Sequence, residues 1–173
     1  METMQMLKRW HVALPAVIVC AAAAASAAAA PVALEANVET KEQIRLDFAD
    51  GSKHFVAMVR REGKATGSGP FDATSVSEYG RHDILPGVGG DPSGYLVFNA
   101  GEGNVAYLKY LVRAVYVPGA DGKQVLLDGG IWEVVGGAGR FKGLRGAGTL
   151  RIRALSPTER KFALEGEMVQ PAQ

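Results

Sequence analysis

The 173-residue chain contains one cysteine, Cys20, and three histidines, of which only His54 and His82 lie beyond the N-terminal segment. One thiol cannot form an intramolecular disulfide, and two histidines without cysteine cannot build a zinc site of the usual ligand type, so no metal is expected. An excess of charge of either sign is also missing: 19 Lys and Arg stand against 18 Asp and Glu. That balance excludes the basic stripe that binds nucleic acid by replacing counterions. "GGDPSG" carries one carboxylate and lacks the spaced ligands of a calcium loop. There is no Gly-x-Ser-x-Gly elbow for a nucleophilic serine, and Ser68 in "TGSGP" reads as linker. No fixed-period repeat and no long amphipathic helix is present, and no cofactor is implied.

What is present begins with a distinct leader. Lys8 and Arg9 precede an apolar stretch that ends in an alanine tract around Ser26 and meets Pro31. This is the pattern of a secretory signal over residues 1–30, cleaved near Ala27 to Ala30. Valine beside Cys20 fits lipoprotein processing poorly, and the alanine-rich run broken by Pro15 is a weak membrane span. The expectation is a secreted or periplasmic protein with no stable membrane anchor. Processing would remove the only cysteine and bring the formal charge to zero, leaving about 140 residues, enough for one domain held by its core.

The remaining chain alternates with period two, in short segments separated by turn residues, which is an all-β pattern. "QIRLDFAD" sets Ile44, Leu46 and Phe48 against Arg45 and Asp47, and Asp50-Gly51 then signals a hairpin into "KHFVAMVRR". The run "VAYLKYLVRAVYV" puts Ala106, Leu108, Tyr110, Val112, Ala114 and Tyr116 on one face. "GTLRIRA" and "KFALEGEMV" alternate likewise, and a second hairpin falls in "VPGADGKQVLL". About eight or nine strands in one small domain favour a closed barrel or a sandwich. The expected layout is an N-terminal linker over 31–42 and a single barrel over 43–170, with irregular glycine and proline loops concentrated between Gly63 and Gly94.

The glycine-rich stretch "VVGGAGRFKGLRGAGTL" fails as a phosphate loop. No Gly-Lys-Ser/Thr ending follows, Gly143 comes one residue late for a dinucleotide fingerprint, and "GTLRIRA" continues as a strand rather than a helix. The structural reading is that Gly136, Gly137 and Gly139 adopt positive φ in a reversal, that Gly146 lets the chain turn back into the sheet, and that Phe141 plugs one end of the core. The segment "WEVVGGAGRFKGLRGAGTLRI" resembles the Gly-Gly-Thr-Gly-x-Phe stretch of dirigent proteins and the allene oxide cyclase barrel-like family, with Ala138 in place of Thr. The resemblance implies an eight-stranded antiparallel β-barrel of calycin-type shape, a lumen able to hold a small apolar ligand, and assembly as a homo-oligomer. It transfers no functional side chain. A lipocalin- or avidin-type barrel is the structural competitor.

Two sets of residues are candidates for a ligand site. "SEYGRHDI" places Glu78, Tyr79, His82 and Asp83 within six residues, where an imidazole beside carboxylates suits proton transfer or recognition of a polar group. The alternative is a solvated turn. The second set is Tyr110, Tyr116, Trp132 and Glu133, which would shape a pocket or simply fill the lumen; period two allows only one of Trp132 and Glu133 to face inward. Two functional classes follow. One is an exported barrel that binds a small molecule, or confines one as a cyclase or isomerase does. The other is a non-catalytic structural or interaction protein that oligomerises or docks on another exported protein.

Overall fold

The computed structural model describes residues 28–170. Nine strands form one antiparallel sheet: β1 (Ala30–Asp47), β2 (Phe55–Ser68), β3 (Ser75–Leu85), β4 (Gly89–Gly90), β5 (Ser93–Asn99), β6 (Val105–Pro118), β7 (Gln124–Gly137), β8 (Arg145–Ala154) and β9 (Glu159–Val169). Pairing runs β1-β2-β3-β5-β6-β7-β8-β9 and returns to β1, which closes an eight-stranded barrel. The two-residue β4 is an extra ribbon bridging β3 and β6 beside β5. Closure leaves no open sheet edge, the usual aggregation hazard of an all-β domain.

The barrel starts earlier than the linker boundary suggested. Residues 31–42 belong to β1, where Val32, Leu34, Ala36 and Val38 alternate inward and are buried. Of the expected leader over 1–30, residues 1–27 lie outside the described residues, and β1 begins at Ala30.

A second departure concerns facing. β1 and β2 shift register between Thr40 and Glu42, leaving Lys41 as a bulge, so the inward phase moves from even to odd positions. Ile44, Leu46 and Phe48 therefore point outward and are exposed, while Gln43 and Arg45 turn into the lumen. The alternation was read correctly, but its apolar phase faces solvent.

The lumen is divided along its length. One half is filled by Val32, Leu34, Phe71, Phe98, Phe141 and Phe162, with Phe71 stacked on Phe98 at 4.4 Å and meeting Phe141 edge-on at 5.4 Å. Buried rings of this size contribute about 1.5–3 kcal/mol each, so this half supplies much of the core. Phe141 is the plug anticipated from sequence, carried on a 3₁₀ turn at Gly139–Phe141. Only Gly139 of the first three glycines has positive φ, at 57°. Gly136 and Gly137 are extended residues of β7, and Gly146 lies in β8, also without positive φ. Gly137 is needed for space instead: a Cβ there would sit 2.3 Å from the Phe141 carbonyl oxygen.

Candidate functional site

The other half of the lumen is polar. It opens at the end of the barrel formed by the last residues of β1, β3, β6 and β8 and the first of β2, β7 and β9, and encloses about 350 Å³. Its side chains belong to the inward phases of these strands. Gln43 and Arg45 arrive through the β1 bulge, Arg61 continues the Ala57–Val59 phase, and His82 continues Val76–Glu78–Gly80. Asp128 is in phase with Trp132 and Val134, and Arg160 with Phe162 and Leu164. The β8–β9 loop folds over the opening: Arg160 Nη1 donates to the carbonyls of Ser156 and Glu159 at 2.7 and 2.8 Å, and Thr40 N donates to Thr158 O at 2.9 Å.

Beneath the cavity lies a buried network. Arg61 Nη1 donates to Glu78 Oε2 at 2.6 Å, and Tyr110 Oη donates to Glu78 Oε1 at 2.6 Å. Arg61 Nε also donates to Thr40 Oγ1 at 3.1 Å. His82 Nε2 lies 3.2 Å from both Glu78 Oε1 and Arg61 Nη1, so it can donate to the carboxylate or accept from the guanidinium, not both at once. Burial disfavours the Glu78 carboxylate, but the His82 hydrogen bond and the Arg61 charge outweigh it, and its pKa lies below the ordinary value. Burial, with Glu78 alongside, pushes the Tyr110 phenol well up, which keeps it a donor. Gly80 makes room for this convergence, since a Cβ there would lie 2.6 Å from both Glu78 Oε1 and Tyr110 Oη.

Asp128 is different. Its Oδ1 is buried without any hydrogen-bond partner, and burial raises its pKa against smaller opposing effects of His82 and Arg160. A buried unmatched carboxyl oxygen costs stability and needs an explanation beyond packing. Among the described residues no three His, Cys, Asp or Glu side chains converge as a metal site.

The sequence candidates separate accordingly. Glu78, His82 and Tyr110 come together in the network, and Tyr116 lines the cavity. "SEYGRHDI" is therefore most of a barrel stave rather than a stretch between loops or a solvated turn. Tyr79 faces outward and is exposed. Asp83 sits at the rim, where His54 Nε2 lies 2.6 Å away and, with help from Arg81, holds its carboxyl below the usual range. Trp132 is packed in the core with its Nε1 donating to Thr149 O at 2.9 Å, and its neighbour Glu133 points to solvent. Neither reaches the cavity. Arg45, Arg61, Asp128 and Arg160 were not singled out from sequence, although each charged side chain stands in the inward phase of its strand.

No protein-family model and no characterised protein sequence matches the chain. Solved structures do. The pterocarpan synthase dirigent protein GePTS1 superimposes with a TM-score of 0.52 over 92% of this chain and 98% of that one, at 11% identity. The pterocarpan synthase dirigent protein PsPTS1 gives the same TM-score and identity over 84% of this chain and 97% of its own. The chain has the dirigent-like barrel fold.

Proposed function

We propose that the protein is an exported barrel that binds a small molecule in the polar half of its lumen. The observation carrying this reading is a cavity of about 350 Å³ lined by Arg61, His82, Arg160 and Asp128, the last a carboxyl group whose buried Oδ1 has no hydrogen-bond partner. That volume is near the lower end for small-molecule sites, and this wall is more polar than most of them. The cavity wall includes Phe55, Val59, Ile84 and Ile152 beside the charged groups. Solved barrels of this shape are named as synthases. By analogy, confinement of a reactive conformer by the wall, with His82 or Asp128 handling a proton, is the finer form of the proposal. Native mass spectrometry of the exported protein tests it. A leader-free mass carrying a co-purifying small organic molecule supports the reading, and a leader-free apo mass that shifts for no member of a small-molecule library counts against it.

A second reading rests on a separate feature. Ile44, Met58, Tyr79, Tyr95, Leu111 and Ile131 are all close to half exposed or more on the outer wall, and Ile44–Met58, Tyr79–Tyr95 and Leu111–Ile131 are cross-strand pairs. An exposed apolar belt of this kind suits a protein–protein contact, and we propose a homo-oligomer built on it. Analytical ultracentrifugation of the wild type and of Leu111→Lys decides the matter. An assembly dispersed by the substitution is the expected result, and a monomeric wild type at tens of micromolar would refute it.

A further inference from the structure

The lining of the lumenal cavity carries more cation than anion. Arg45, Arg61, Arg160 and His82 reach it, against one carboxyl group, that of Asp128. Two guanidiniums are matched: Arg45 pairs with Asp47 at 2.7 Å and Arg61 with Glu78 at 2.6 Å. Arg160 has no carboxylate within ion-pairing distance among the described residues. Its Nη1 is engaged by the Ser156 and Glu159 carbonyls, which leaves Nε and Nη2 without protein partners there. Asp128 is the nearest anion in kind, yet the two groups do not pair, and Asp128 Oδ1 has no partner at all. A cation short of an anion and a carboxyl group with an unpartnered oxygen thus line one cavity.

We infer that the lumen takes a small monocarboxylate with an apolar body, its carboxylate seated between Arg160 and Asp128. The inference rests on the lumenal reading above and names its ligand class. A carboxylate matches the two free nitrogens of the Arg160 fork, which a hydroxyl or an amide oxygen can fill only singly. Asp128 contributes when protonated, donating its O–H to the second ligand oxygen; ionised, it would repel the ligand. Burial favours the protonated form. One negative charge then balances the uncompensated guanidinium, while Phe55, Ile84, Tyr116 and Ile152 receive the apolar body.

The charged groups that share the cavity with Asp128 are Arg45 on β1, Arg61 on β2, His82 on β3 and Arg160 on β9, with Glu78 behind Arg61, while its own neighbours across β6 and β8, Ala114 and Ile152, are uncharged. His82 lines the same cavity, and the Asp128→Asn variant isolates the part played by Asp128.

The test is isothermal titration calorimetry of the full processed protein with benzoate, benzamide and benzyl alcohol at pH 5.5 and pH 8, with NMR shifts of Tyr116 and Ile152 locating the ligand. Benzoate is expected to bind at least tenfold more tightly than either neutral analogue, and more weakly as pH rises through the raised Asp128 value. Arg160→Met should abolish the preference, and Arg160→Lys, which keeps the charge that holds the loop, should retain part of it. Asp128→Asn keeps a donor at every pH and should flatten the pH dependence. Neutral analogues binding as well as benzoate would overturn the carboxylate assignment while leaving the lumenal site intact. A pH dependence unchanged in Asp128→Asn would overturn the role of Asp128. Failure of all three probes to perturb Tyr116 or Ile152 would remove the lumenal reading as well.

Discussion

Arg61 and Glu78 face each other across the β2–β3 ladder with Nη1 and Oε2 2.6 Å apart, and both side chains are almost wholly withdrawn from water. Removing one member strands the other, so Arg61→Ala should destabilise the fold by about 3–5 kcal/mol, whereas an apolar pair at both positions should recover most of the loss. Urea unfolding of the single and double variants measures this. Because the folded pKa of Glu78 is depressed, its contribution is complete above the ordinary carboxylate range and disappears as pH falls through the lower folded value. Arg61→Ala should therefore lose its deficit relative to the wild type in strong acid.

Gly80→Ala tests the convergence of the network. The added methyl would meet Glu78 Oε1, Tyr110 Oη and His82 Nε2 at 2.6, 2.6 and 2.9 Å. Overpacking of this kind costs roughly 1–3 kcal/mol, and a melting temperature equal to that of the wild type would show that the three side chains are free to move apart.

Gly137→Val should prevent folding or cost more than about 3 kcal/mol, through collision with the Phe141 carbonyl and displacement of the plug. Positive φ plays no part at this position. Circular dichroism and a melting curve suffice to check it.

Asp128→Asn should stabilise the protein at neutral pH. Its folded pKa is raised, so the wild type is most stable below the ordinary carboxylate value and loses stability as pH rises through the folded value. The amide removes that loss, with a gain of no more than about 1 kcal/mol because the side chain is partly solvated. Thermal melts from pH 4 to pH 8 should show the two proteins converging in acid. A variant less stable than the wild type at neutral pH would mean that the carboxylate has a structural partner.

His82→Ala should cost about 1 kcal/mol, since Glu78 keeps its bonds to Arg61 and Tyr110, while ligand retention in the lumen falls. A loss several times larger would place His82 in the fold rather than in the site.

How much of this was legible beforehand depends on the range over which each interaction acts. The strands β6, β8 and β9, the plug Phe141 and the hairpin at Asp50-Gly51 follow from alternation and turn chemistry within a few residues. Glu78, His82 and Tyr110 were found because their residue types stand out, and they do meet. Arg61, Asp128 and Arg160 were passed over because charged residues are read as outward by default. Extending the apolar phase of each strand by one or two positions would have placed all three inside.

The chain's alternation was sufficient for an all-β domain, because local propensity and burial agree along most staves, and the resemblance of the stretch around Gly136 to Phe141 pointed to a barrel rather than a sandwich. Which half of the lumen is filled, which charges meet there and which way Ile44 faces were decided by closure. A single bulge at Lys41 reverses the facing of half a strand, and ion pairs form between residues on different staves. Those relations exist only once the sheet has closed, since they depend on register between distant segments rather than on the residues next to them.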